Sequence, residues 1–305
     1  MRIGVDLGGT KIEAAVLDAR GGVIARQRKP APVNDYDATL ETIRDLVNAV
    51  ASKAGDGDPA RPVGVGAPGA SCPKTGLVKN ANSVWLNGRP LQRDLESALR
   101  RPVRLANDAN CFAISEARDG AGVGAEVVFG VILGTGVGGG LVVGGRPLTG
   151  PRAIAGEWGH APLPWPRDDE RPGAPCYCGK AGCIETWASG AGLSRAYGAC
   201  GGDDRTGAAE VAERARAGET AARDALSLYE DRLARGLAMV VNLIDPDVIV
   251  LGGGLSNIAR LYDSLPVLME PWIFDPAPGR TPVLRNMHGD SGGVRGAAWL
   301  WEDGG

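Results

Sequence analysis

No apolar run in this sequence approaches the roughly 18 residues that a membrane span needs, and Met1 leads straight into a strand pattern without a secretory leader. Both absences point to a cytoplasmic protein. Charge of one sign is also missing: 33 Lys and Arg against 36 Asp and Glu leave a formal net charge of −3. A surface so balanced offers no basic footprint for nucleic acid or for an anionic bilayer. Low-complexity segments are absent and the linkers are short. Histidine is scarce, with 2 in the chain, and cysteine numbers 6. Cys72, Cys111 and Cys200 are scattered, which suits a reducing cytosol better than a disulfide scaffold.

The remaining cysteines are not scattered. GEWGH at 156–160 and CYCGKAGCIE at 176–185 place His160, Cys176, Cys178 and Cys183 in one segment, separated by a Pro-rich, acid-rich loop. Three thiolates and an imidazole match the tetrahedral N/S preference of Zn²⁺, and four protein ligands leave no open position, as in a structural site. Gly179 and Gly182 let the backbone turn tightly enough to aim three sulfurs at one point. Glu157 and Glu185 flank the ligands, so a metal here would also fix two carboxylates beside an imidazole.

A chain of 305 residues with 44% hydrophobic content is long for a single core, which favours two domains. Ile3, Val5 and Leu7 alternate with Arg2, Gly4 and Asp6 as a strand running into Gly8-Gly9-Thr10-Lys11; strand patterns resume at 15–17 and 23–25. This is a strand meander, whereas nucleotide P-loops and dinucleotide folds put a helix after their glycines. Helical spacing follows over 36–53, then a buried strand over 63–67, the polar segment KNANSVWLNG at 79–88, a helix near 91–100 and a strand at 103–105. That strand ends in Asn107-Asp108-Ala109-Asn110, ahead of a helix from Cys111 to about Arg118. Asp108 is placed either to cap that helix or to act as a carboxylate at the carboxyl end of a strand, the usual place for a ligand crevice in open α/β sheets.

The opening pattern then returns. GVILGTGVGGGLVVGG at 130–145 parallels GVDLGGTKIEAAVL at 4–17, which predicts a pseudo-repeat with a nucleotide cleft between the halves. Gly134, Gly136 and Gly139 satisfy G-x-G-x-x-G, but the residues behind them read as strand, so a dinucleotide site is not expected. Residues 208–241 read as mostly helical. The buried strand 248–251 runs into Gly252-Gly253-Gly254, and Ser291 or Asp290 is placed to cap a last helix whose Gly296, Ala297 and Ala298 permit close packing.

DLGGTK at 6–11, LANDANC at 105–111, GTGVGGG at 134–140, GEWGH with the CxCGxxGCxE segment, and LGGG at 251–254 together resemble the ROK family of sugar kinases, repressors and uncharacterised reading frames. The resemblance spans essentially the whole chain in order. It implies an α/β fold of the actin-like, hexokinase-type (ribonuclease H-like) kind: a small domain over 1–118 completed by a C-terminal helix at about 291–303, and a larger domain over 119–290 carrying the zinc loop 156–185. KNANSVWLNG and GHAPLPW look most like bacterial fructokinases that also accept mannose. The expected activity is therefore ATP-dependent phosphorylation of a hexose, fructose at its 6-position or mannose, with a glucokinase or an N-acetylhexosamine kinase as the alternative. The repressors of the family carry an N-terminal helix-turn-helix, for which a first strand at Ile3 leaves no room.

By the same resemblance, Asp108 is the general base, Asp6 helps to hold hydrated Mg²⁺, and backbone N–H groups around Gly8, Gly9 and Thr10 and around Gly134, Thr135, Gly136 and Gly138 cradle the ATP phosphates. Lys11 adds charge, and Gly252, Gly253 and Gly254 let the chain pass close to adenosine. Asn82, Asn107, Glu157, His160 and Glu185 match the family's sugar ligands, so His160 would serve a structural Zn²⁺ with one nitrogen and a sugar hydroxyl with the other. A homodimer is the expected assembly.

Overall fold

In the computed structural model, which describes residues 1–275 and 279–301, the opening alternation becomes β1 (Arg2–Leu7), followed by β2 (Lys11–Leu17) and β3 (Val23–Pro30). Helix α1 (Tyr36–Lys53) is capped by Asp35, whose carboxylate accepts from the Ala38 N–H at 2.9 Å. There follow β4 (Val63–Ala67), the short hairpin β5 (Ala70–Ser71) and β6 (Val78–Lys79), α2 (Leu91–Leu99), β7 (Val103–Asn107) and α3 (Asp108–Asp119). The second meander is β8 (Val127–Leu133), β9 (Val137–Val143) and β10 (Arg146–Pro147). Beyond the metal-type loop come α4 (Ile184–Ala188), α5 (Gly190–Ala199), α6 (Ala208–Ala217), α7 (Thr220–Ile244), β11 (Val248–Gly252), α8 (Leu261–Met269), β12 (Val283–Arg285) and α9 (Gly292–Ala298).

The chain divides into two compact units. Unit 1 holds Met1–Val123, Gly140–Ala155 and the chain from Met287 on; unit 2 holds Gly124–Gly139 and Gly156–Asn286. Residues 140–155, expected in the larger domain, group with unit 1, where a side chain at Gly140 would run into the Ala109 carbonyl and Ala113 of α3.

Unit 1 is built on a sheet of order β3-β2-β1-β4-β7, antiparallel through the meander and parallel from β1 to β7. One face buries Ile43, Leu46, Val47 and Val50 of α1 with Leu91 and Leu95 of α2 against Ile3, Val5, Val63 and Val65. Removing each such side chain from water contributes roughly 1.5–3 kcal/mol. The other face carries α9. Gly4 and Gly64 sit beneath it, and any Cβ there would collide with the carbonyls of Val294 and Ala297. The glycines in RIGVDL and VGVGA thus let helix backbone lie on sheet backbone, and Gly296 does the same against Cys111 of α3.

The second sheet has the order β10-β9-β8-β11-β12, with β8, β11 and β12 mutually parallel and β9 antiparallel to β10. Strand for strand this repeats the first sheet, so the similarity of 4–17 and 130–145 is a repeat of topology.

Three local expectations change. Helix α3 begins at Asp108, three residues early, because Asn107 is its N-cap: the Asn107 Oδ1 accepts from the Ala109 N–H at 2.9 Å. The 208–241 stretch is two helices, broken at Gly218 (φ 101°), and α7 continues to Ile244. Ser291 precedes α9 without a side-chain cap bond, and positions 302 and 303 of the helix expected there lie outside the described residues.

Candidate active site

In unit 1, Asp6 closes β1 and pairs across the sheet with Glu13 on β2. Glu13 is buried and ion-paired with Arg26 and Arg28. The Asp6 carboxyl is pushed up to about 7, by burial first and then by the negative charges of Asp108 and Glu13, against Lys11 and Arg28. Carboxyl oxygens crowded so that they resist ionisation are the donor set that a hard divalent cation relieves. A side chain at Gly293 of α9 would come within 2.8 Å of an Asp6 oxygen, so glycine there keeps the carboxyl accessible. Behind Asp6, the Gly8 N–H closes the turn on the Lys11 carbonyl at 3.0 Å, and Lys11 Nζ lies 3.5 Å from Asp290, both exposed.

Asp108 opens α3, and one of its oxygens accepts from the Ala109 N–H at 2.8 Å. Asn107 spends its oxygen on the same N–H and its Nδ2 on the Gly69 carbonyl at 2.9 Å, which fixes the β7–α3 junction. Asn82 is exposed on the 79–88 loop. The Asn87 carboxamide clips that loop, accepting from the Ala81 N–H and donating to the Ala81 carbonyl, each at 2.9 Å.

In unit 2 the His and three Cys converge. Their ligand atoms all lie within 4.8 Å of one another, with His160 Nδ1 3.5 Å from Cys176 Sγ and Cys178 Sγ 3.6 Å from Cys183 Sγ. Tetrahedral bonds of about 2.3 Å to sulfur and 2.0–2.1 Å to nitrogen place ligand atoms at such separations, so the set fits Zn²⁺. The loop closes through short bridges, Pro162 against Cys183 and Pro175 against Ala181. Sequence reading missed a second anchor. Buried Glu170 receives hydrogen bonds from Arg232 at 2.8 Å and from Arg235 at 2.9 and 2.7 Å, both on α7, and Arg235 also donates to the carbonyls of Pro164 and Trp165. Burial pushes the Glu170 carboxyl up, yet the bonds from Arg235, Arg232 and the Arg167 N–H outweigh it and hold the group at about 2.

Glu185, in the first turn of α4, accepts from the Val137 N–H at 2.9 Å, and the Trp158 indole donates to the Gly138 carbonyl at 3.1 Å. These contacts explain two glycines of GTGVGGG: a Cβ at Gly136 would meet Glu185, and one at Gly139 would meet Trp158. Tyr177, between two of the cysteines, stands with its hydroxyl 2.9 Å from His160 Nε2. Its phenol is pushed up to about 12, by desolvation first and then by Glu185 and Glu157, so the hydroxyl keeps its proton.

A cavity of about 990 Å³ lies within unit 2. Its walls are Gly134 and Thr135 of the β8–β9 turn, the start of α5, the length of α6, Leu226 of α7 and the segment after β11 from Gly254 to Arg260. Of the glycines expected at a nucleotide, Gly134 and Gly254 line this space and have no neighbour where a Cβ would stand, whereas Gly253 is pressed on the Leu133 carbonyl. The α5 and α6 walls were not anticipated. The signal was the small-residue runs Gly190-Ala191-Gly192 and Gly207-Ala208-Ala209 at helix starts.

A model of the ROK family matches residues 2–304. The chain belongs to the ROK family. It is 41% identical over 305 residues, 98% of each chain, to an N-acetyl-D-glucosamine kinase of Pectobacterium atrosepticum. Among solved structures, a ROK hexokinase from Thermus thermophilus superposes with a TM-score of 0.83 at 32% identity, covering 97% of this chain and 96% of that one. A ROK family glucokinase from Streptomyces griseus, in complex with glucose and AMPPNP, gives 0.77 at 30% identity with 98% of both chains covered. The actin-like, hexokinase-type fold expected from the motifs is the fold present, and the protein is an ATP-dependent sugar kinase of the ROK family. Fructose is not the sugar that these relatives name. No helix among the described residues is long and apolar enough to cross a membrane.

Proposed function

We propose that this kinase transfers the γ-phosphoryl group of ATP to a hydroxyl of N-acetylglucosamine. The reading is carried by the full-length 41% identity to the N-acetyl-D-glucosamine kinase of Pectobacterium atrosepticum. It displaces fructose, and the segments that suggested fructose have other work. Asn87 of KNANSVWLNG clips its own loop through Ala81, while in GHAPLPW the Leu163 N–H donates to the Gly182 carbonyl and the Ala161 carbonyl accepts from the Ile184 N–H, each at 2.9 Å. Such residues report how the loops are built and carry little about the acceptor.

In this reading Asp108 takes the proton of the hydroxyl that is phosphorylated. Because the transition state is loose, positioning and charge neutralisation supply most of the rate and the base adds about 10²- to 10⁴-fold. Asp6 is the protein carboxylate for Mg²⁺, which neutralises phosphate charge when bound; its elevated pKa beside Asp108 and Glu13 supports that role. N–H groups of the turns around Gly8, Gly9 and Thr10 and around Gly134 to Gly138 hold the phosphates. The adenosine takes the cavity, where Gly134, Thr135 and Gly254 leave room. Asn82, Asn107, Glu157, His160 and Glu185 bind the sugar, and His160, Cys176, Cys178 and Cys183 hold a structural Zn²⁺ that fixes the histidine ring.

A coupled ADP-release assay across N-acetylglucosamine, N-acetylmannosamine, glucose, mannose and fructose tests the assignment. N-acetylglucosamine is expected to lead in kcat/KM by at least about tenfold, the size of discrimination that one well-filled pocket gives. A larger value for fructose or glucose would overturn it.

A further inference from the structure

His160 has two ring nitrogens, and both are engaged within the metal-type loop. Nδ1 faces the sulfur cluster, 3.5 Å from Cys176 Sγ. Nε2 is therefore the one nitrogen available to a substrate, and it lies 2.9 Å from the hydroxyl of Tyr177. When Nδ1 gives its lone pair to a metal, the ring proton resides on Nε2, so Nε2–H donates and the phenol oxygen accepts. A single N–H makes one well-directed hydrogen bond. A sugar hydroxyl and the Tyr177 hydroxyl are then mutually exclusive partners of the same proton.

We propose that Tyr177 gates the sugar side of the site: its hydroxyl holds His160 Nε2 and is exchanged for a sugar hydroxyl when the sugar binds. The proposal rests on the assignment of His160 as a sugar ligand and extends it to a residue that the motif reading left unassigned.

Tyr177 is built for exchange. The residue is 78% exposed, so swinging its side chain aside uncovers little apolar surface. Besides the hydrogen bond, the tyrosine meets the imidazole edge-on, with centroids 5.1 Å apart and planes at 87°. Contacts of this size each change an equilibrium constant by about two- to tenfold, enough to hold one rotamer and little enough for a substrate to displace. The peptide before it is tied by the Cys176 N–H to the Lys180 carbonyl at 2.8 Å and by the Gly179 N–H to the Cys176 carbonyl at 3.0 Å, so the movement asked for is that of a side chain. Glu157 and Glu185 are the negative groups whose charge reaches the phenol.

The test is Tyr177→Phe, which keeps the ring and removes the competing oxygen. Sugar affinity by titration calorimetry, sugar and ATP KM, kcat, zinc stoichiometry and melting temperature are compared with wild type. The expected result is a sugar Kd and KM lower by about two- to tenfold, the worth of one hydrogen bond, with kcat, ATP KM, zinc content and melting temperature unchanged. An unchanged or weaker sugar affinity overturns the gate, since Tyr177 would then be a bystander or a sugar ligand itself. Loss of zinc or of melting temperature without tighter sugar binding also overturns it, by making the residue a brace of the loop. Glu157→Gln, assayed in parallel, separates the premise: if that variant binds sugar as wild type does, the reading of this face as the sugar site fails whatever Tyr177 does.

Discussion

Two sheets share one strand order, yet the two units hold their polar groups in different ways. In unit 1, Asp6 lies on the central strand and Asp108 directly follows a strand, so hydrogen-bonded sheet positions both. In unit 2, Glu157 and His160 sit in a long irregular loop and Glu185 in a five-residue helix at its end. A sheet needs no extra device to fix its residues, because the ladder of neighbouring strands already determines where each side chain points. A loop has no such ladder and needs anchors, here the His-plus-three-Cys cluster that joins its two ends and the Glu170–Arg235–Arg232 network in the middle. The contrast teaches that stability and activity should be separable in unit 1 and joined in the loop of unit 2.

The largest effect expected is from the metal. Chelation, or Cys178→Ser, should lower melting temperature and activity together, because the free energy of binding a structural metal is folding free energy of the loop it closes. Zinc stoichiometry read beside calorimetric melting checks this. A metal-depleted protein that melts and turns over as before would remove the basis for the contrast.

Asp108→Asn should do the opposite in unit 1. Phosphorylation should fall by about 10²- to 10⁴-fold, while melting temperature and ligand binding stay close to wild type. Asn107 carries the N-cap of α3, so the carboxylate of Asp108 is not required to start the helix. Rapid-quench or steady-state turnover combined with sugar binding decides the matter; near-normal turnover removes Asp108 from the role of base.

What could be read beforehand follows the same division. The meanders, the helix over 36–53 and the repeat of glycine turns were legible because strand alternation and helical spacing are local, and the cluster of His160 with three cysteines was legible because all four ligands lie in one segment. Contacts between distant positions left no such pattern. That Gly136 makes room for Glu185, or Gly4 and Gly64 for the backbone of α9, is a fact of packing, and in sequence a glycine pressed by a neighbour looks like one that welcomes a phosphate. Asp108 was read as a possible cap because Asn107, the residue that caps, differs from it by one position and by little in propensity. The segments that resemble fructokinases are loop braces, whereas the relative matched over the full length is an N-acetyl-D-glucosamine kinase.

The smallest effect concerns the second anchor, and pH isolates it. Glu170 is held at about 2, below the roughly 4.3 of an unperturbed glutamate, because Arg235, Arg232 and the Arg167 N–H favour its ionised form more strongly than burial opposes it. A carboxylate with a depressed folded-state pKa contributes stability that is present above its unfolded value and disappears as pH falls through the folded one. Glu170→Gln keeps the shape and removes the charge, leaving Arg235 with Asp231 at 2.9 Å and the two carbonyls as its partners, so the cost near neutral pH should fall below the about 3–5 kcal/mol of a buried charge left wholly unpaired. The difference in unfolding free energy between wild type and Glu170→Gln, taken from urea melts run side by side, should narrow as pH drops from about 5 to about 2, because protonation turns the wild type into a neutral side chain too. Acid release of a bound metal affects both proteins and leaves the difference intact. A gap that stays constant over that range would mean the loop does not rest on this ion pair, and the cysteine cluster would be its only anchor among those identified.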